Sequence, residues 1–159
     1  QTSADKARIE DDLLPPQQNP GCLQAKLKFG RILVSGPRWF LASASVAPDL
    51  QWTLPGRHPL AGTKRGADEV LAFFHELNKA GVQVDLIRID NWGNDTVVEV
   101  HRGHGEKNGV KLDALNCTHY HVNAAGKIDK VQVYMGDQYG ADQFFCAIYE
   151  YKPIPDRLA

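Results

Sequence analysis

The run from Trp52 to Leu77, WTLPGRHPLAGTKRGADEVLAFFHEL, constrains the fold more than any other part of the chain. Leu50, Trp52 and Leu54 alternate with polar neighbours, which predicts a strand with one buried face. Pro55-Gly56 and the stretch from Pro59 to Gly62 then bend the chain. Gly66-Ala67-Asp68-Glu69 opens a helix with acidic residues in its first turn, favourable to the helix dipole. Val70, Leu71, Phe73, Phe74 and Leu77 give that helix a wide apolar face, and Gly81 ends it. A strand that bends at once into an amphipathic helix needs a sheet to bury both.

The rest of the chain supplies that sheet. Residues 1–21 are polar, carry Pro15, Pro16 and Pro20, and read as a mobile arm. Leu23, Leu27, Ile32 and Val34 predict a helix from Cys22 to Val34, and a second short helix is expected from Arg38 to Val46. Strands are expected over Val82 to Ile89, Thr96 to Arg102, Val110 to Val122 and Lys127 to Met135. A Gly-rich turn from Gly103 to Gly109 and a hairpin turn at Ala125-Gly126 join the later ones. Ala141 to Ala147 suits a short helix, and residues 152–159 an extended tail. Helices followed by a consecutive run of strands imply an α+β fold, with the helices on one face of the sheet.

Length and composition bound the function. A chain of 159 residues favours one domain, placed at residues 22–151. Three cysteines without a CxxC argue against a disulfide framework or a zinc site, and suit free thiols in a reducing cytoplasm. A net charge of −1 gives no basic excess for nucleic acid. No apolar run reaches membrane-spanning length, and the start lacks the order of a signal peptide. A cytoplasmic location is therefore expected.

Several segments, in order, resemble the nuclear transport factor 2-like superfamily and its SnoaL-like, polyketide cyclase-like branch. They are Ala47 to Trp52, Pro55-Gly56, His58-Pro59-Leu60-Ala61-Gly62, Gly66 to Val70, Phe73-Phe74, Ala125 to Ile128 and Gly136 to Tyr139. The likeness spans roughly residues 22–150, with Gly36-Pro37 departing from a common Gly-Asp pair. It implies a cone-shaped, cystatin-like α+β roll, in which N-terminal helices pack into a highly curved, mostly antiparallel sheet. It also implies a cofactor-free pocket for a small hydrophobic molecule, and an acidic base near the end of a late strand.

Strand parity sorts the hairpin around Ala125-Gly126 into two faces. A two-residue turn pairs Ala124 with Lys127, Tyr120 with Val131, and Thr118 with Val133. One face then carries Ala114, Asn116, Thr118, Tyr120, Val131, Val133, Met135 and Asp137. This more apolar set is expected to line the pocket together with Leu50, Trp52 and Leu54. The other face carries Asp113, Cys117, His119, His121, Lys130, Gln132 and Tyr134, and suits a homodimer contact.

Within that frame Asp137 is the candidate base, since an apolar rim disfavours its charged form. The competing reading is a turn residue that caps a local helix. Tyr120 or Asn116 would steady an enolate, with Thr118 beside them. His58 is a candidate acid or base in the bend. Glu99 and His101 share a strand face and form a candidate dyad if that face points inward, a direction for which Val98 and Val100 compete. His119-x-His121 with His101 and His104 invites a metal, but no third ligand has a convincing position. No metal or cofactor is expected.

Two relatives' mechanisms fit poorly. The ketosteroid isomerase groups would map near Phe29, Thr53-Leu54 and Thr118, none of which carries the needed function. An epoxide-hydrolase Asp-Arg-Asp set finds only Asp85, Arg88 and Asp113. The sequence leaves two readings open. One is a cofactor-free isomerase, cyclase or hydratase acting on a small apolar carbonyl compound. The other is a non-catalytic ligand-binding or dimerisation module of the same fold.

Overall fold

The computed structural model describes residues 46–149. The expected arm, the two N-terminal helices up to residue 45, Cys22, Phe29 and the tail lie outside the described residues. Within them the chain runs β1 (Val46–Leu54), β2 (Gly62–Arg65), α1 (Gly66–Lys79), β3 (Gln83–Asn91), β4 (Thr96–Lys107), β5 (Val110–Val122), β6 (Ile128–Met135) and α2 (Gln138–Ile148). The strands form one curved six-stranded sheet in the order β2-β1-β6-β5-β4-β3. The β1–β6 pair is parallel and every other pair antiparallel. This is the mostly antiparallel α+β arrangement expected from the sequence.

Helix α1 begins and ends for local reasons. The Glu69 carboxylate reaches back to accept from the Arg65 backbone N–H at 2.6 Å, which satisfies an otherwise orphan donor. At the other end Gly81 takes φ +76, and Gly81 and Val82 donate to Asn78 and Leu77. The apolar stripe of α1 buries Val70 and Phe73 against the sheet. There Trp52 stands edge-on to Phe74 at 4.9 Å and to Tyr120 at 6.0 Å. A second cluster, Ala80, Leu112, Ala141, Phe144 and Phe145, holds α2 on the sheet.

Four local expectations differ from the structure. The first strand begins at Val46 rather than Leu50 and contains Pro48, which falls where pairing with β6 is interrupted between Val46 and Gln51. The end of the predicted bend, from Gly62, forms the edge strand β2 against β1. The Gly103-to-Gly109 segment is mostly strand: β4 continues to Lys107, and Asn108-Gly109, both at positive φ, make the turn. Gly103 and Gly105 mark close approaches instead, because a Cβ would lie 2.9 Å from Asn116 Nδ2 and 2.8 Å from the Gly81 carbonyl oxygen, respectively. Ala124 does not pair with Lys127. Asn123 Oδ1 accepts from the N–H of Ala125 and of Lys127 at 3.0 Å each, and a register shift after His121 absorbs the difference. The expected pairs Tyr120–Val131 and Thr118–Val133 are both present.

Candidate functional site

Burial alternates along β5: Leu112, Ala114, Asn116, Thr118, Tyr120 and Val122 are buried, and their neighbours face outward. Val131 and Val133 of β6 and Trp52 and Leu54 of β1 are buried as well, and half-buried Met135 packs against the same core. The β4–β5 register then decides β4. Glu99 pairs with Thr118 and His101 with Asn116, so both turn toward the face that carries Tyr120. Val98 and Val100 point the other way, although they compete for the inward direction in the sequence. The Glu99–His101 pair is thus formed on the inner face.

Glu99 is the centre of a polar cluster in an otherwise apolar wall. Its side chain is 1% exposed, and both carboxylate oxygens have a partner. The Tyr120 hydroxyl donates to Oε2 at 2.7 Å. His101 Nδ1 lies 2.6 Å from Oε1, although its N–H does not point squarely at the oxygen. Burial and the adjacent carboxylate push the Tyr120 phenol well above its ordinary range, so Tyr120 stays a hydrogen-bond donor. The Thr118 hydroxyl also bonds to Tyr120. His101 keeps 12% exposure, and its Nε2 stands 3.5 Å from Asn116 Nδ2. The arrangement resembles the general logic of an imidazole oriented by a buried carboxylate, which leaves the second ring nitrogen for proton transfer.

The other candidates lie elsewhere. Asp137 is exposed and is the N-cap of α2, where Oδ1 accepts from the Gly140 N–H at 2.8 Å. His58 is buried between the bend and α2. Its Nδ1 accepts from the Leu60 N–H at 3.2 Å, its ring packs on Phe145 at 4.6 Å, and Nε2 lies 4.0 Å from Asp142. Asp142 also accepts from the Arg57 N–H, so this cluster ties the bend to the helix. His119 sits between Trp92 and Tyr134, while His121 pairs with Asp129 and Asp95. His101 faces inward and His104 pairs with Asp85, so the four histidines do not converge. Among the described residues no group of three metal-binding side chains forms. Arg88 pairs with Asp90 and Asp113 with Arg102, which separates the Asp-Arg-Asp candidates.

Burial lowers the pKa of His58 to about 4, with Asp142 opposing the shift and Lys64 adding to it. A histidine held neutral in the fold binds fewer protons there than in the unfolded chain. Its contribution is therefore complete above the unfolded value of 6.5 and is lost as pH falls through about 4. The expected loss across that window is about 3 kcal/mol. Urea unfolding from pH 7 to 4 should show a steep acid limb in wild type and a flatter one in His58→Gln. Equal limbs would assign the acid sensitivity to other groups.

Comparison with known proteins tests the architecture. No family model matches the chain. An uncharacterized protein of Mycobacterium tuberculosis (strain ATCC 25618 / H37Rv) is 28% identical over 102 residues, covering 62% of this chain and 77% of the relative. Among solved structures, an NTF2-like protein from Burkholderia thailandensis E264 superimposes with a TM-score of 0.66 at 26% identity, covering 80% of this chain and 98% of that one. The chain has the nuclear transport factor 2-like fold. Bal32a, from a soil-derived mobile gene cassette, shares this fold with a TM-score of 0.69 at 19% identity, covering 79% and 98% of the two chains. A third structural neighbour is a Mycobacterium tuberculosis protein solved in complex with estradiol-17beta-hemisuccinate. It has a TM-score of 0.56 at 22% identity, covering 72% of this chain and 92% of that one. The resemblance drawn from Ala47 to Trp52 and from the Ala125-to-Ile128 hairpin is therefore borne out at the level of fold.

Among the described residues no helix is long and apolar enough to cross a membrane.

Proposed function

We propose that the inner face of the sheet is a cofactor-free acid–base site for a small, mostly apolar, oxygen-bearing molecule, and that His101 is its proton-transfer group. The observation that carries this reading is a buried carboxylate, Glu99, held between the Tyr120 hydroxyl and the His101 ring on an apolar wall. A structural salt bridge has little reason to lie there, since burying a charge costs more than a packed apolar pair. A ring oriented by such a carboxylate suits isomerisation, cyclisation or hydration, in which a proton moves at carbon or oxygen. Tyr120, Asn116 and Thr118 supply polar contacts, while Trp52, Leu54, Val131, Val133 and Met135 supply the apolar surface. His101 takes the role that the sequence pattern offers to Asp137, whose carboxylate caps α2.

Another protein of this fold holds a steroid ester, which makes steroid-sized apolar molecules the first set to screen. The test is a thermal-shift screen of wild type, His101→Ala and Asp137→Ala against cyclic ketones, alcohols, phenols and terpenoids. The expected outcome is a ligand that wild type converts, that Asp137→Ala converts at a similar rate, and that His101→Ala binds without converting. Asp137→Ala should lose only about 1 kcal/mol of stability, as a missing helix cap does. Equal turnover by His101→Ala would remove His101 as the proton-transfer group, and ligands that wild type binds without converting would favour a binding module.

The outer face supports a homodimer. Trp92, Tyr134 and Leu115 are exposed there, at 61%, 50% and 59%, and the rings of Trp92, His119 and Tyr134 form a continuous aromatic row. Light scattering should give twice the chain mass for wild type and a monomer for Leu115→Glu/Tyr134→Glu. A monomeric wild type at micromolar concentration would remove the dimer.

A further inference from the structure

Asn116 stands beside His101 on the neighbouring strand, and its orientation is fixed. The Gly136 N–H donates to Asn116 Oδ1 at 3.2 Å, so the amide NH2 end must face the imidazole. Gly103 leaves the room, because a Cβ there would stand 2.9 Å from Asn116 Nδ2. At the far side of the ring, Nδ1 lies 2.6 Å from the Glu99 carboxylate, and an oxygen that only accepts favours a proton on Nδ1 over a lone pair there. Nε2 then carries the lone pair, and it faces an N–H donor rather than another acceptor.

The separation between these two atoms is informative. Asn116 Nδ2 and His101 Nε2 are 3.5 Å apart, beyond the usual range of a well-formed hydrogen bond. One oxygen can sit at about 2.9 Å from both atoms. To satisfy both, that oxygen must donate to Nε2 and accept from Nδ2. A hydroxyl does both. An ether or a ketone only accepts, so it can take the Asn116 N–H but offers no proton to Nε2. Met135 lies opposite Asn116 on β6 and supplies apolar surface beside the pair.

We propose that His101 Nε2 and the Asn116 amide form a cradle for one hydroxyl oxygen, so that the ligands of this site are apolar alcohols, phenols and enols. The cradle rests on the reading of the inner face as a ligand site and names its ligand class. It concerns the resting geometry, and so it stands or falls apart from turnover. Glu99, Gly136 and Gly103 act here as positioning residues, since each works through His101 or Asn116.

The experiment is nitrogen-15 NMR on the full chain labelled at histidine, with phenol and anisole as matched probes. The His101 signals are identified by their loss in His101→Gln. Wild type should show a protonated Nδ1 and an unprotonated Nε2. Phenol should move the Nε2 signal, and anisole at the same concentration should leave it in place. Asn116→Ala should weaken the phenol response about tenfold, the equivalent of one hydrogen bond. Gly103→Ala, which displaces the amide without altering either partner, should weaken it in the same direction and serves if Asn116→Ala does not fold. A proton on Nε2 in wild type, equal responses to phenol and anisole, no response to either, or undiminished phenol binding in the folded variants would each overturn the cradle. Turnover of a ligand by wild type with Nε2 protonated would retain the acid–base function and discard the cradle. An intact cradle with no turnover of any compound would do the reverse.

Discussion

Replacing Glu99 by glutamine is expected to lower kcat about 10²- to 10⁴-fold on any compound that the proposed acid–base site converts, which is the range for a mispositioned acid–base group. The reason lies in the donors that surround the carboxylate. Tyr120 and His101 approach different oxygens, at 2.7 and 2.6 Å. A glutamine amide offers one oxygen and one NH2, so it can accept from only one of them. Either Tyr120 loses its acceptor, or the imidazole turns to present the other nitrogen. A buried O–H that loses its acceptor costs about 1–3 kcal/mol, even with the Thr118 hydroxyl still bonded to the phenol, so Glu99→Gln should also unfold at lower urea. Single-turnover kinetics and a urea titration on the same preparation separate the two effects. A kcat within threefold of wild type would show that His101 needs no carboxylate behind it.

The second large effect is expected at Gly136. A Cβ at this position would lie 2.0 Å from the Leu115 carbonyl oxygen and 3.1 Å from its carbon. The obstacle is backbone in the middle of β5, so no side-chain rotation relieves it. Gly136→Ala should therefore destabilise the fold by about 3 kcal/mol, the upper range for overpacking. The strain falls on Leu115, the residue next to Asn116, and the Asn116 side-chain oxygen Oδ1 is the acceptor of the Gly136 N–H. Even at temperatures where the variant stays folded, the Asn116 amide should lose its fixed orientation. Chemical denaturation tests the first part. A variant as stable as wild type would mean that β5 and β6 separate here at little cost.

These residues also show how far the sequence could be read. The strand–bend–helix run from Trp52 to Leu77 is legible because its period changes from two to 3.6 within a few residues. The inner face of β5 is legible because Leu112 and Ala114 alternate with Lys111 and Asp113, and Tyr120 and Val122 with His119 and His121. The Glu99–His101 pair is visible as a candidate, but its direction is not. In β4 both faces carry valines, so hydrophobicity gives no parity, and only the pairing with Thr118 and Asn116 decides it. The glycines of β4 mislead for a related reason. Gly103 and Gly105 look like a turn, yet they are small because Asn116 and Gly81 come close. That close approach involves residues distant in the chain, and no local pattern reports it. Asp137 shows the opposite case. Gly-Asp before a helix signals a cap, and the cap is what forms.

The parallel seam between β1 and β6 has a kinetic consequence. Trp52 pairs with Val131, so the strand that carries the first buried tryptophan of the described residues waits for one of the last strands to be made. The hairpins β3–β4, β4–β5 and β5–β6 can each zip from a short turn, whereas β1 must close a loop that holds most of the domain. On the ribosome, β1, β2 and α1 would emerge with an apolar surface and no completed sheet to receive it. The seam is thus the expected slow step of folding, and the moment at which two nascent chains would be most prone to exchange β1.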